Sequence, residues 1–308
     1  MIVKLSVAYN KLPSALFTSG VTECDKDPRF GGGFGDIYQA SLAGNKVALK
    51  RIRVFSGDEG YHHVWRVRCF IHPNRASPLK FNAQQFCREA LIWQALQHPC
   101  ILPFIGLDCD TFPGFLTLVS PWMENNTVLK YLKANGKASV DKLLFEIAQG
   151  LQYLHSKNLV HGDLRGVNIL ITDEGSACLA DFGLSYFSET TTTTSSARAG
   201  CIQWMAPELI DPSKFGKRFL RTPATDVYAF GCVCLELYTG MPPFGRLPGS
   251  AAIFQVPDGK RPERPTGDAT MSEALWGLVG DCWAQQSAER PQSEAVVERM
   301  ELLNTAKV

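Results

Sequence analysis

The chain has 308 residues, of which 45% are hydrophobic and 20% charged, and 31 Lys plus Arg against 30 Asp plus Glu leave a formal net charge of +1. A composition this close to the globular average excludes a coiled coil, a collagen-like repeat and wholesale disorder, and the length allows one large unit or two domains of roughly 150 residues each. No basic excess exists to attract nucleic acid, which is therefore not expected as a partner.

No apolar run reaches the length of a membrane span, and the opening MIVKLSVAYNKLPSALF lacks the charged start, long apolar core and small-residue cleavage site of an export signal. A cytoplasmic protein without a membrane segment is expected. The cysteines are scattered, with no CxxC pair and no histidines at metal-finger spacing, which reads as reduced and mostly buried thiols.

Residues 21–55 read as strands: a glycine-rich turn from Phe30 to Gly35, a short mixed stretch Asp36–Ala40, turn residues Ala43-Gly44-Asn45, and a strong strand from Lys46 to Val54. The period of two places Lys50 on one face with Ala48 and Ile52. Residues 83–98 predict a helix, because Phe86, Ala90, Trp93 and Leu96 or Gln97 recur at three-and-four spacing before Pro99. Glu89 lies on its inward face. Two short apolar runs follow, Ile101–Gly106 and Phe115–Ser120.

Beyond about residue 124 the pattern turns helical. Val140–His155 carries an apolar stripe, Asp226–Tyr238 is apolar nearly all round and stops at Gly240, and Ser272–Trp283 and Ser293–Leu303 complete the series. A helix apolar on every side belongs in the middle of a lobe. The outline is α+β, a small strand-rich unit followed by a larger helical one.

Glycines in Phe30-Gly31-Gly32-Gly33-Phe34-Gly35 let backbone amides approach a phosphate, although the same run suits a plain hairpin; no GK[ST] follows, so a Walker loop is excluded. An ammonium at Lys50 on an apolar face needs an anion or a route to solvent, and Glu89 is the carboxylate with the matching problem. His161-Gly162-Asp163-Leu164-Arg165-Gly166-Val167-Asn168 sets a carboxylate and an amide five apart in a polar loop, and Asp181-Phe182-Gly183 follows an apolar run. Each short motif alone also reads as a turn or a helix cap.

In this order the residues resemble a eukaryotic protein kinase domain over about residues 20 to 304, of the tyrosine-kinase-like branch as found in expanded fungal, mushroom-type families. The resemblance implies a bilobal protein-kinase-like fold forming one catalytic unit. Its parts would be an N-terminal tail at 1–20, an N-lobe and hinge at 21–123, a C-lobe at 124–304 and a tail at 305–308. It implies ATP and Mg2+ as cofactors and a protein substrate, and it does not set an oligomeric state.

By the same resemblance, Gly32, Gly33, Phe34 and Gly35 cover the ATP phosphates, and Ile37, Ala48 and Leu170 sandwich the adenine. Lys50 holds phosphates and pairs with Glu89, Ser120 is the gatekeeper, and the hinge runs to Met123. Asp163 accepts the substrate proton, Arg165 steadies the gamma phosphate, and Asn168 and Asp181 hold magnesium. Glu208 of Trp204-Met205-Ala206-Pro207-Glu208 pairs with Arg290, and Asp226 braces the catalytic loop.

The chain departs from the family pattern at Phe30, which replaces the first loop glycine, and at Gly162, which replaces an arginine that commonly receives an activation-loop phosphate. Activation through that ion pair is therefore not expected. Arg165 and Cys201 replace the usual serine/threonine-kinase Lys and Thr; the acceptor is expected to be Ser/Thr, with Tyr open. The hydroxyl-rich stretch 188–198 reads as an autophosphorylation site or a solvated loop, and residues 57–80 as translated intron sequence or an atypical insertion. A nucleotide-binding pseudokinase scaffold is the alternative to an enzyme.

Overall fold

A computed structural model describes residues 13–32, 35–52, 90–113, 115, 117–181, 202–245 and 255–305. The stretches 57–80 and 188–198 lie outside them. The first unit takes its described residues from those up to Gln97 and from Leu102–Trp122; the second takes them from His98–Ile101 and from Met123 onward.

In the first unit, β1 (Val21–Thr22), β2 (Phe30–Gly32), β3 (Gly35–Leu42), β4 (Asn45–Ile52), β5 (Gly106–Asp108) and β6 (Thr117–Pro121) form one antiparallel sheet. Its order is β1-β3-β4-β6-β5, with β2 on β3. Ala43 and Gly44, both at positive φ, close the β3–β4 hairpin in a two-residue turn whose twist suits the strands. Tyr38, Ala40, Val47, Leu49 and Val119 pack together on one face.

Asp36–Ala40, expected to be a short mixed stretch, is the interior of the long strand β3. The charge of buried Asp36 is tolerated because Arg51, directly opposite in register, meets it at 3.0 Å. The guanidinium also lies 4.9 to 5.2 Å from the ring centres of Tyr38, Phe112 and Phe115. The helix expected over 83–98 is helical through its described part, 90–94, and ends early. Ala95 and Leu96 bond back to Ile92 and Trp93 in tightened turns, and Pro99 disfavours helical geometry at His98. The run Ile101–Gly106 is mostly coil leading into β5.

The second unit contains α1 (Val128–Asn135), α2 (Val140–Ser156), the hairpin β7 (Ile169–Ile171) and β8 (Ala177–Leu179), α3 (Pro207–Ile210), α4 (Pro223–Thr239), α5 (Glu273–Cys282) and α6 (Ser293–Thr305). Every residue of α4 from Thr225 to Leu237 is buried, as its all-round apolar character requires. The helix starts at Pro223 behind a Thr222/Thr225 capping box and stops at Gly240, φ 73°. Packed around it are α2 and α5, and α6 lies against α2. No apolar stripe advertises the short helix α1; the Thr127 side chain caps it by accepting from the Lys130 amide.

Candidate active site

On the sheet of the first unit, register decides which residues share a face. Phe30 pairs opposite Ile37, Ile37 opposite Lys50 and Lys50 opposite Leu118; Gln39 pairs opposite Ala48 and Ala48 opposite Ser120. Cross-strand partners project to the same side, so Ile37, Ala48, Lys50 and Ser120 lie on one face with Gly32 and Gly35 at its β2–β3 end. Lys50 is 9% exposed and Ser120 is buried. Gly33, Phe34 and Glu89 lie outside the described residues, as do Phe182, Gly183 and Cys201.

In the second unit, the catalytic-loop candidates run from the end of α2 to β7. The carboxylate of Asp226, at the start of α4, accepts from the amides of His161 at 2.7 Å and Gly162 at 2.8 Å and sits 3.0 Å from His155 Nε2. Gly162 turns with φ 77°, a conformation that costs glycine little. His161 is fully buried, and that burial pushes its imidazole below the usual value against the pull of Asp226, Asp163 and Asp181.

Asp163 is held by one oxygen. Its Oδ2 accepts from Asn168 Nδ2 at 2.8 Å and from Arg165 Nε at 3.2 Å, and Arg165 Nη2 lies in ion-pair contact with it at 3.2 Å. Asn168 Nδ2 also donates to the Asp163 carbonyl at 2.7 Å. Both partners of that amide nitrogen are acceptors, which fixes the amide orientation and turns its carbonyl oxygen away from Asp163. Oδ1 of Asp163 accepts none of these bonds. Arg165, expected on a phosphate, is thus turned onto Asp163 here.

Asp181 follows β8 and is tied to Asn168 through the Ala180 amide, which donates to the Asn168 carbonyl at 2.9 Å. Its φ of 58° is a left-handed conformation that a non-glycine residue adopts at some cost. Leu170, half-buried on β7, bridges to Thr127.

Two further expected contacts are present. Arg290 makes a bidentate pair with Glu208 at 2.8 and 2.7 Å, and Asp226 braces the loop as described. A residue that sequence reasoning passed over is Glu236 on α4, only 3% exposed. Its Oε2 accepts from the Gly166 amide and from Trp204 Nε1, both at 2.9 Å, and burial pushes its carboxyl up to about 7 against those donors and Arg165. A lone carboxylate inside the apolar run Cys232–Leu237 was the available signal.

Among the described residues no helix is long and apolar enough to cross a membrane. The described cysteines are free thiols, and burial raises Cys100 to about 11 and Cys178 and Cys282 to about 12.

A family model for protein tyrosine and serine/threonine kinase matches residues 31–300. The chain is 32% identical over 275 residues to serine/threonine/tyrosine-protein kinase HT1 of Arabidopsis thaliana, covering 88% of this chain and 63% of that protein. It is 26% identical to serine/threonine-protein kinase CTR1 of the same plant, over 87% of this chain and 30% of the relative. Tyrosine-protein kinase Abl of Drosophila melanogaster is 29% identical over 88% of this chain and 15% of its own length. The chain therefore spans less than two thirds of these curated relatives.

Proposed function

We infer the function from one premise: the chain belongs to the protein tyrosine and serine/threonine kinase family. It acts as an ATP- and Mg2+-dependent protein kinase that transfers the gamma-phosphate to serine or threonine hydroxyls of protein substrates, with tyrosine as the further acceptor. The observation that carries this reading is Asp163, clamped through Oδ2 by Asn168 and Arg165 while Oδ1 takes no part in the clamp.

The residues present fit a magnesium ion. With its nitrogen committed to Asp163, Asn168 offers a carbonyl oxygen, and Asp181 offers a carboxylate; both are the hard oxygen donors Mg2+ takes. When bound, the ion neutralises charge on the phosphates. Asp163 Oδ1 orients the acceptor hydroxyl and takes its proton. Arg165 holds Asp163 in place, with its remaining donors for the gamma phosphate. Lys50 and the Gly32–Gly35 turn bind phosphates, with Glu89 positioning Lys50, while Ile37, Ala48 and Leu170 hold the base and Met123 supplies hinge hydrogen bonds. Residues 21–123 serve as N-lobe and hinge and 124–304 as C-lobe. A cytoplasmic location belongs to the same proposal, supported by the free thiols.

Transfer of labelled phosphate from ATP to a generic protein substrate tests the reading, with Asp163→Asn as the comparison. The variant is expected to lose roughly 10²–10⁴-fold in rate, the usual contribution of a positioned base. Equal transfer by both proteins would refute Asp163 as that base. ATP binding without transfer by the wild type would make the chain a nucleotide-binding scaffold.

A further inference from the structure

Phe30 opens β2 where the family resemblance calls for a glycine, and it places a large apolar ring on the face that carries Ile37 and Lys50. The ring is 39% exposed. It stacks on Trp122, the residue directly after β6, with centroids 6.2 Å apart and planes at 22°. Offset stacks at this spacing are attractive beyond the area they bury. Trp122 is itself anchored, because its amide donates to the Lys46 carbonyl at 3.2 Å near the start of β4. The first unit thus carries a stacked aromatic pair beside Ile37 and Ala48, the residues read above as the roof of the base. A flat, π-faced ligand is what such a surface recognises.

We propose that Phe30 and Trp122 form an aromatic lip that packs on the purine base of the bound nucleotide and sets both its affinity and the preference for purine over pyrimidine. The inference rests on the nucleotide-binding reading of the same face. A two-ring base offers the lip a larger π face to pack against than a one-ring base does. Besides its own contact with the base, Trp122 holds the Phe30 ring in its stacked orientation.

Calorimetric titration of ADP and CDP into the full chain carrying Asp163→Asn tests the lip without turnover. Phe30→Gly and Trp122→Ala are each expected to weaken ADP binding by about tenfold, the scale of a lost aromatic stack, and CDP by about twofold or less. The double variant should bind no more weakly than either single one, because the rings act as a unit, and Phe30→Tyr should keep the parent affinity. ADP affinity kept within about twofold in Phe30→Gly, or equal weakening of ADP and CDP, overturns the proposal. Melting temperature controls for folding; if Phe30→Gly does not fold, Phe30→Leu, which keeps apolar bulk without a π face, must still narrow the ADP preference or the lip is refuted. A wild-type protein that shows the lip dependence yet transfers no phosphate refutes the enzyme and leaves the lip standing. One that transfers phosphate and binds ADP independently of Phe30 does the reverse, and a chain that binds no ADP refutes both.

Discussion

Gly150 sits within α2, where an alanine would ordinarily stabilise a helix by up to about 1 kcal/mol. Here a Cβ would stand 2.8 Å from the Cys100 carbonyl oxygen and 3.0 Å from two carbons of Leu179. That carbonyl accepts the Leu179 amide at 2.9 Å, so it cannot withdraw without loosening the strand that leads to Asp181. The collision wins, and Gly150→Ala is expected to destabilise by about 1–3 kcal/mol. Gly277 and Gly280 on α5 have nothing within 4 Å of an added Cβ. Alanine at either should stabilise by about 0.5–1 kcal/mol. Thermal melts of the three variants check the pair of signs; a rise in melting temperature for Gly150→Ala would contradict the close approach. Glycines look alike in a sequence, and only their neighbours distinguish these three.

The helix α4 carries the catalytic loop on two carboxylates, Asp226 at its start and Glu236 ten residues on. Burial lifts Glu236 from its usual 4.5 to about 7. A group raised in the folded state stabilises fully below its unfolded value, so stability from Glu236 is complete below pH 4.5 and is lost as pH rises towards about 7. The full span is on the order of 3 kcal/mol. Glu236→Gln keeps an oxygen for the Gly166 amide and Trp204 indole without the charge, and should flatten the decline between pH 4.5 and 7 in denaturant unfolding. An unchanged slope would remove Glu236 as its source. At this scale the sequence was informative where caps and periodicity are local: α2 and α4 begin and end close to where their apolar patterns and Gly240 predict. It was silent on α1, whose two buried residues, Val128 and Leu132, make too short a stripe to register. It overran the helix before Pro99, because tightened terminal turns leave no periodic mark.

Across the second unit, Arg290 and Glu208 join segments 82 residues apart. The guanidinium is fully buried and also donates to the Ala224 and Ala284 carbonyls, tying the start of α4 and the segment before α6 to α3. Arg290→Leu would strand the Glu208 carboxylate in the interior and is expected to cost about 3–5 kcal/mol, read as a lowered melting temperature. Arg290→Lys should rescue little, since an ammonium cannot form the two-pronged pair. Replacing both residues with leucine should recover most of the loss, because the stranded charge goes with its partner; a double variant as unstable as Arg290→Leu would assign the effect to packing instead.

Legible in the linear chain is the order of the chemistry: a glycine turn, a lysine on an apolar strand face, the Asp163 and Asn168 spacing, Asp181 after an apolar run, and the Glu208 and Arg290 pair that the resemblance supplied. These are matters of residue type and local period, which a linear string carries in full. Tertiary structure alone decided that Asp163 is held through Oδ2, that Arg165 turns onto it, that Glu236 lies between Gly166 and Trp204, and that Phe30 stacks on Trp122. The reason is distance along the chain. The loop meets Asp226 and Glu236 across 65 and 70 residues, and a side chain's direction is set by the partner it finds there, on which neither propensity nor period bears.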